Sequence, residues 1–223
     1  MSIPFATVGF DLDGTLLDTS RDLGAAVNHA LERIGRAPVP YEQVSGLIGG
    51  GARLMLSRAL ALTGGGDGID QEALFAQLLD YYEANIAVHT ALYPGGAAML
   101  DALDAAGVKI AVVTNKRQHF TDKLFAELDL TERFACVIGA GEFPLKPDPQ
   151  ALNAMVERCG GGRAAFVGDT TFDTRAARAA GLPSVAVSFG FCDAPPHELG
   201  ADTVIDHFDE LVPALRRFAP LPA

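Results

Sequence analysis

No tryptophan occurs in the 223 residues, cysteine occurs only three times, and no lysine precedes Lys109. Cys136, Cys159 and Cys192 are odd in number and lack C-x-x-C spacing, which excludes a disulfide framework or thiolate zinc site and fits a reducing compartment. Positive charge is scarce, since 17 Lys and Arg stand against 28 Asp and Glu for a formal net charge of −11. That balance argues against a binder of nucleic acid or anionic membranes, so attraction for an anionic ligand has to be local. Long apolar runs are missing as well. The uncharged stretches Ile86 to Leu100 and Ala179 to Cys192 fall short of the ~20 apolar residues of a membrane span and are interrupted by Pro94, Gly95, Gly181 and Pro183. Met1 to Phe10 shows no basic-then-apolar leader, so a signal peptide is not expected and a cytoplasmic location is.

The chain is 49% hydrophobic and 20% charged, enough to fill a core, and its length suits one large domain or a core domain with an insertion. Short β-branched runs recur at Ala6 to Phe10, Val108 to Thr114, Cys136 to Gly139, Ala165 to Gly168, Ser184 to Val187 and Thr203 to Ile205. Helical spacing over Gln118 to Leu128, Gln150 to Cys159 and Asp173 to Ala180 supplies crossovers between them, the pattern of an α/β fold with a Rossmann-like parallel sheet. Almost a hundred residues between the first two runs carry no convincing strand. They hold helical stretches at Ser20 to Ile34, Tyr41 to Ile48, Arg53 to Thr63 and Gln71 to His89, which predicts an inserted α-helical domain. The expected division is a core of residues 1–15 and 93–223 and an insertion of residues 16–92, with a core helix over Gly96 to Ala106.

Open parallel sheets bind ligands at the carboxyl ends of their strands, so the polar residues there carry the argument. The first run ends in Phe10-Asp11-Leu12-Asp13-Gly14-Thr15. Two acids at i and i+2 in extended chain point the same way and oppose each other's ionisation, a conflict that a divalent cation such as Mg²⁺ resolves. An Asx-type turn before Gly14 is the alternative. The second ends in Thr114-Asn115-Lys116, where a hydroxyl and backbone N–H groups can meet a phosphate or serve as an ordinary helix cap. In Leu145-Lys146-Pro147-Asp148-Pro149, two prolines mount one lysine rigidly, either for a phosphoryl group or as a solvated loop residue. The fourth, Gly168-Asp169-Thr170-Thr171-Phe172-Asp173, places one acid at a strand end and another at a helix start, and Gly168 would let a ligand approach the backbone. The coincidence of all four segments near strand ends favours chemistry over four independent accidents. The five histidines, His29, His89, His119, His197 and His207, show no metal-ligand spacing.

The order Asp11-Leu12-Asp13-Gly14-Thr15, Thr114, Lys146-Pro147 and Gly168-Asp169 with Asp173 resembles the four motifs of the haloacid dehalogenase superfamily, and the helical insertion resembles its first cap type. Asp18, the turn Gly46-Leu47-Ile48-Gly49-Gly50-Gly51 and Tyr93-Pro94-Gly95 are most similar to its phosphoglycolate phosphatase group, though sugar-phosphate phosphatases and pyrophosphatases share them. The resemblance implies a phosphomonoester hydrolase acting through an aspartyl phosphate. Asp11 would be the nucleophile and Asp13 the general acid and base; Thr114, Asn115, Gly14 and Lys146 would hold phosphate. Mg²⁺ would be bound by Asp11, by Asp13 through its carbonyl, and by Asp169, with Asp173 reaching it through water or through Lys146. An acid at position 13 suits an oxygen leaving group rather than a halide. The missing lysine before residue 109 disfavours a phosphonatase, which needs a Schiff-base lysine in the insertion. Arg53 could bind a substrate carboxylate or be a surface residue, and Arg117 is equally ambiguous. The expected partner is a small phosphorylated metabolite, with no nucleic acid and no membrane, the protein being a monomer or homodimer. A phosphosugar mutase and a non-catalytic Mg²⁺ or phosphate-binding regulator stay open as alternatives.

Overall fold

A computed structural model describes residues 2–218; the ends of the expected core segments at Met1 and at 219–223 lie outside the described residues. β1 (Thr7–Phe10) leads through a turn into β2 (Leu17–Asp18), and the helices α1 (Ser20–Arg33), α2 (Tyr41–Val44), α3 (Ala52–Leu62) and α4 (Gln71–Ala84) follow. β3 (Ala91–Leu92) brings the chain back, pairing antiparallel with β2. From there α5 (Gly96–Ala105), β4 (Lys109–Arg117), α6 (Gln118–Glu127), β5 (Cys136–Ala140), α7 (Gln150–Arg158), β6 (Ala164–Gly168), α8 (Thr171–Ala179), β7 (Ser184–Val187), β8 (Thr203–Ile205) and α9 (Leu211–Arg217) complete the order.

Six strands form one parallel sheet in the order β5-β4-β1-β6-β7-β8. Its inner strands β1, β6 and β7, and the middle of β4, are buried on both faces, and the period-2 alternation divides them cleanly. Ile110, Val112, Ala165, Val167, Val185 and Val187 belong to a cluster that continues through Leu16 and Leu17 into the inserted helices. Ala111, Val113, Ala164 and Phe166 point the other way, onto Leu152 and Met155 of α7 and Ala176 and Ala177 of α8. β1 is central, and the chain builds outward from it first through β4 and β5, then through β6 to β8. That reversal of winding opens a crevice at the carboxyl ends of β1, β4 and β6. Among the described residues, no helix is long and apolar enough to cross a membrane.

Three expectations need correction. The stretch between the first two core strands does contain strand: β2 and β3 are two residues each, too short to show an alternating period. The second core strand runs past Thr114 to Arg117, with a break in register against β5 between Val113 and Arg117. α4 stops at Ala84 rather than near His89, because Asn85 turns its side chain onto the Tyr81 carbonyl (2.9 Å) and the next N–H groups find another acceptor. That acceptor is Asp22 of α1, which is buried and takes bonds from the backbone N–H of His89 (3.0 Å) and from the N–H (2.9 Å) and hydroxyl (2.7 Å) of Thr90.

Candidate active site

The turn after β1 sets the first two acids. Asp11 continues the ladder, its N–H donating to Val167 O of β6 (2.9 Å), after which Leu17 N donates back to Leu12 O (3.0 Å) and Gly14 N to Leu17 O (2.9 Å). Gly14 sits at φ +86°, and a Cβ there would run into the Asp169 carboxylate and the Phe191 ring. Only glycine lets this turn close over Asp169. Thr15 then donates its hydroxyl to Asp169 Oδ1 (2.9 Å), and Phe191 N–H donates to Oδ2 (2.7 Å), fixing the β6 acid from two sides.

Lys146 reaches the same point from the loop before α7. Its Nζ lies 2.7 Å from Asp11 Oδ1 and 2.6 Å from Asp173 Oδ1, and donates to Val113 O at 2.9 Å. The loop carrying it is clamped to β4: Lys146 N donates to Asn115 Oδ1 (2.8 Å) and Asn115 Nδ2 to Lys146 O (3.2 Å). Asp173 is held by a capping box at the start of α8, accepting from Thr170 N (3.0 Å) and Thr170 Oγ1 (2.6 Å) on its second oxygen. Gly168 is explained here too, though not by a close ligand: a Cβ on it would collide with the Asp173 side chain.

The electrostatics follow from burial. Asp11, Asp169 and Asp173 are buried, each offers an oxygen within 4.8 Å of the others, and one ammonium bridges Asp11 and Asp173. Desolvation pushes Asp11 up to about 6 despite the opposing pull of Lys146, and Asp173 and Asp13 add to the rise. Asp169 is likewise raised well above the usual carboxylate range, by burial first and then by Asp173 and Asp11. Burial works against the Lys146 charge, and its two carboxylate partners overcome it, so this lysine holds its proton more firmly than a free one. Three hard oxygen donors with surplus negative charge form a place where a divalent cation could be held.

Asp13 does not join that trio. Its carboxylate turns to Lys116, whose Nζ donates to Oδ1 at 2.7 Å and Oδ2 at 2.8 Å with 4% of the lysine side chain exposed. The ammonium also stands 4.8 Å from the ring centroid of Tyr82 in α4. Sequence reasoning assigned Lys116 no role, although it directly follows Thr114 and Asn115, and the two-residue alternation of β4 was the signal that could have paired it with Thr114. Thr114 is buried and accepts from Lys116 N (3.2 Å), which leaves its hydroxyl proton free to donate.

Above these groups lies a cavity of about 240 Å³, walled by the inserted helices through residues such as Met55, Phe75 and Leu78 and floored by Asp11, Asp13, Thr114 and Lys146. Arg53 and Arg117 line its edge. Arg53 gives its fork to Glu72 (2.6 and 2.8 Å), with 59% of its side chain exposed, and lies 4.3 Å over the Phe75 ring. Arg117 approaches the same ring at 5.5 Å.

Comparison with known proteins accords with this geometry. Residues 8–187 match a family described as haloacid dehalogenase-like hydrolase. A phosphoglycolate phosphatase of Agrobacterium fabrum is 41% identical over 210 residues, covering 92% of this chain and 90% of the relative. One from Caulobacter vibrioides is 41% identical over 207 residues, covering 91% and 87%. A crystal structure described as a predicted phosphoglycolate phosphatase from Haemophilus somnus 129pt superposes with a TM-score of 0.87 at 29% identity, over 95% of this chain and 98% of that one.

Proposed function

The chain belongs to the haloacid dehalogenase-like hydrolase family, and from that premise we propose that it is a Mg²⁺-dependent phosphatase whose substrate is 2-phosphoglycolate. The observation that carries the reading is Asp11: a carboxylate at the end of the central strand, floor of the cavity, held 2.7 Å from a buried ammonium.

Asp11 attacks the phosphorus and takes the phosphoryl group as an acyl phosphate, which splits one difficult hydrolysis into two easier steps. Asp13 gives a proton to the departing oxygen, then recovers one from the water that cleaves the aspartyl phosphate. Lys116, bonded to both oxygens of Asp13, orients that carboxylate. Lys146 faces the nucleophile and the charge that builds on the phosphoryl oxygens, and Thr114 with the backbone of Asn115 completes the phosphate cradle, while Gly14, expected there, spends its N–H on Leu17 O and serves the turn over Asp169 instead. The surplus of buried carboxylates fits a divalent metal: Asp11, Asp169 and the Asp13 carbonyl would hold Mg²⁺, with Asp173 linked to it by way of Lys146. Bound there, Mg²⁺ supplies the positive charge that lets an anionic nucleophile approach a phosphate dianion.

Residues 16–92 serve as a cap, with β2 and β3 as its paired strands of exit and return. Its motion admits substrate and excludes water, which makes specificity a property of cavity residues. The 2-phosphoglycolate assignment rests on the phosphoglycolate phosphatases to which the chain is 41% identical. A formal charge of −11 and three free cysteines support a cytoplasmic enzyme of a small phosphorylated metabolite, independent of nucleic acid and membrane.

The test is phosphate release from 2-phosphoglycolate beside sugar phosphates, nucleotides and pyrophosphate, with and without Mg²⁺, for the wild type and Asp11→Asn. Metal-dependent release that prefers 2-phosphoglycolate and vanishes in the variant is expected. Release that survives in Asp11→Asn sinks the nucleophile, and preference for another ester replaces the substrate.

A further inference from the structure

Four cationic side chains line the cavity: Arg53, Lys116, Arg117 and Lys146. Lys116 is spent on both oxygens of Asp13, Lys146 on Asp11 and Asp173, and Arg53 has both arms of its fork on Glu72. Arg117 differs. It is exposed, and its guanidinium has no hydrogen-bond or ion-pair partner among the described residues; it rests against the Phe75 ring, 5.5 Å from the centroid. In a chain of formal charge −11, a cation left without a carboxylate at the mouth of a phosphate site is open to an anionic ligand.

The topology sets this cation in the path of the leaving group. Phe10 of β1 pairs with Val112 of β4, so β4 continues outward past Asp11, carrying first Thr114 and then Arg117. In-line displacement by Asp11 sends the ester oxygen, and the carbon bonded to it, away from the sheet in that same direction. Thr114 and Arg117 are separated by about 10 Å of strand. The long arginine arm closes that span from one end, and the three bonds from phosphorus to the carboxylate carbon of 2-phosphoglycolate close it from the other. Gly51 of the inserted domain stands over the same segment, since a Cβ on it would come 4.0 Å from the Asn115 carbonyl oxygen. The apolar walls nearby, Met55, Phe75 and Leu78, offer a charged group nothing to bond, so its charge has to be met at the rim.

We propose that Arg117, a residue of the core strand rather than of the inserted helices, binds the substrate carboxylate and so selects 2-phosphoglycolate among phosphomonoesters. The inference rests on the hydrolase reading above and names the side chain that enforces its substrate. A guanidinium offers a carboxylate two parallel donors, a fit that a single hydroxyl in the same place cannot use. Because the arm already leans on Phe75 of α4, part of its freedom is lost before substrate arrives, which lowers the cost of fixing it on a ligand.

The experiment compares kcat/KM for 2-phosphoglycolate with that for 2-hydroxyethyl phosphate, which keeps the skeleton and replaces the carboxylate by a hydroxymethyl group. It is run with Mg²⁺ on the wild type, Arg117→Gln, Arg117→Lys and Arg53→Gln, each first checked for a cooperative thermal transition. The wild type should favour 2-phosphoglycolate. Arg117→Gln should lower that ratio about tenfold or more, through KM, as loss of a charge-assisted hydrogen bond predicts. Arg117→Lys, which keeps the charge without the fork, should recover part of it. A role confined to packing on Phe75 would slow both esters alike, so a folded Arg117→Gln that retains the wild-type ratio overturns the assignment while leaving the substrate reading intact. A fall confined to Arg53→Gln moves the carboxylate to α3 and overturns it as well. A wild type that hydrolyses both esters without preference overturns the substrate reading and the Arg117 assignment with it. Should Arg117→Gln fail to fold, Arg117→Met, which keeps an apolar arm against Phe75, takes its place.

Discussion

The space that a side chain on Gly168 would occupy is already filled by Asp173, whose Cβ and carboxylate pack directly onto that glycine. Asp173 in turn bonds Lys146 at 2.6 Å and caps α8 through Thr170. Gly168→Ala therefore has to push Asp173 off both partners. The expected cost is about 2–4 kcal/mol in urea denaturation, from overpacking plus a lost cap, with kcat/KM falling at least about tenfold as Lys146 loses its anchor. Wild-type stability together with a wild-type rate would mean that Asp173 can move without consequence for Lys146.

Lys146 bridges two buried carboxylates, Asp11 and Asp173, so removing it is worse than removing an ordinary ion pair. Lys146→Met leaves Asp11 and Asp173 without their ammonium, and breaking a buried pair from one side costs about 3–5 kcal/mol. That loss is read by urea denaturation in chelator. Excess Mg²⁺ should restore part of it by returning positive charge to the same acids, without restoring turnover. A variant as stable as the wild type in chelator would contradict the electrostatic account.

The raised acids make metal-free stability depend on pH with a definite sign. Asp11 is pushed up to about 6 from 3.8, and Asp169 shifts the same way, so between those values the folded protein binds more protons than the unfolded chain. Stability then falls as pH rises from about 4 to about 6. Mg²⁺ prefers the ionised acids, so the increase in Tm that it produces should grow over the same interval. Thermal melts from pH 4.5 to 7.5, with chelator and with Mg²⁺, would show both trends, and Asp11→Asn should flatten the chelator curve. A chelator curve of equal slope in wild type and variant would place the titration elsewhere.

The inner core strands could be read from the sequence because they are buried on both faces, which demands runs such as Ala165-Phe166-Val167 that few other structures need. The acids at their ends stood out for the same reason: Asp11 and Asp169 interrupt apolar runs where a charge is expensive. What escaped was settled by partners distant in the chain. Lys116 looks like a loop lysine until β4 is seen to continue beneath it and Asp13, 103 residues away, turns toward it. Asn115 was read as a phosphate ligand through its backbone, while its side chain locks Lys146 across 31 residues. β2 and β3 are too short for any periodic signal, and the end of α4 depends on an acceptor in α1. Helix and strand cores follow local spacing; these contacts follow the topology.

That acceptor supports the last prediction. Asp22, 2% exposed, binds the N–H groups of His89 and Thr90 and the Thr90 hydroxyl, joining the first inserted helix to the segment through which the chain returns to β3. In Asp22→Ala these donors stay buried with no acceptor, and the expected loss is about 2–4 kcal/mol in urea denaturation. Asp22→Asn should lose less, because one oxygen remains to accept while the new NH₂ faces donors. If Asp22→Ala instead lost under about 0.5 kcal/mol, the N–H groups of His89 and Thr90 would have to reach solvent, and the strap between α1 and β3 would not be what holds the inserted helices in register with the core.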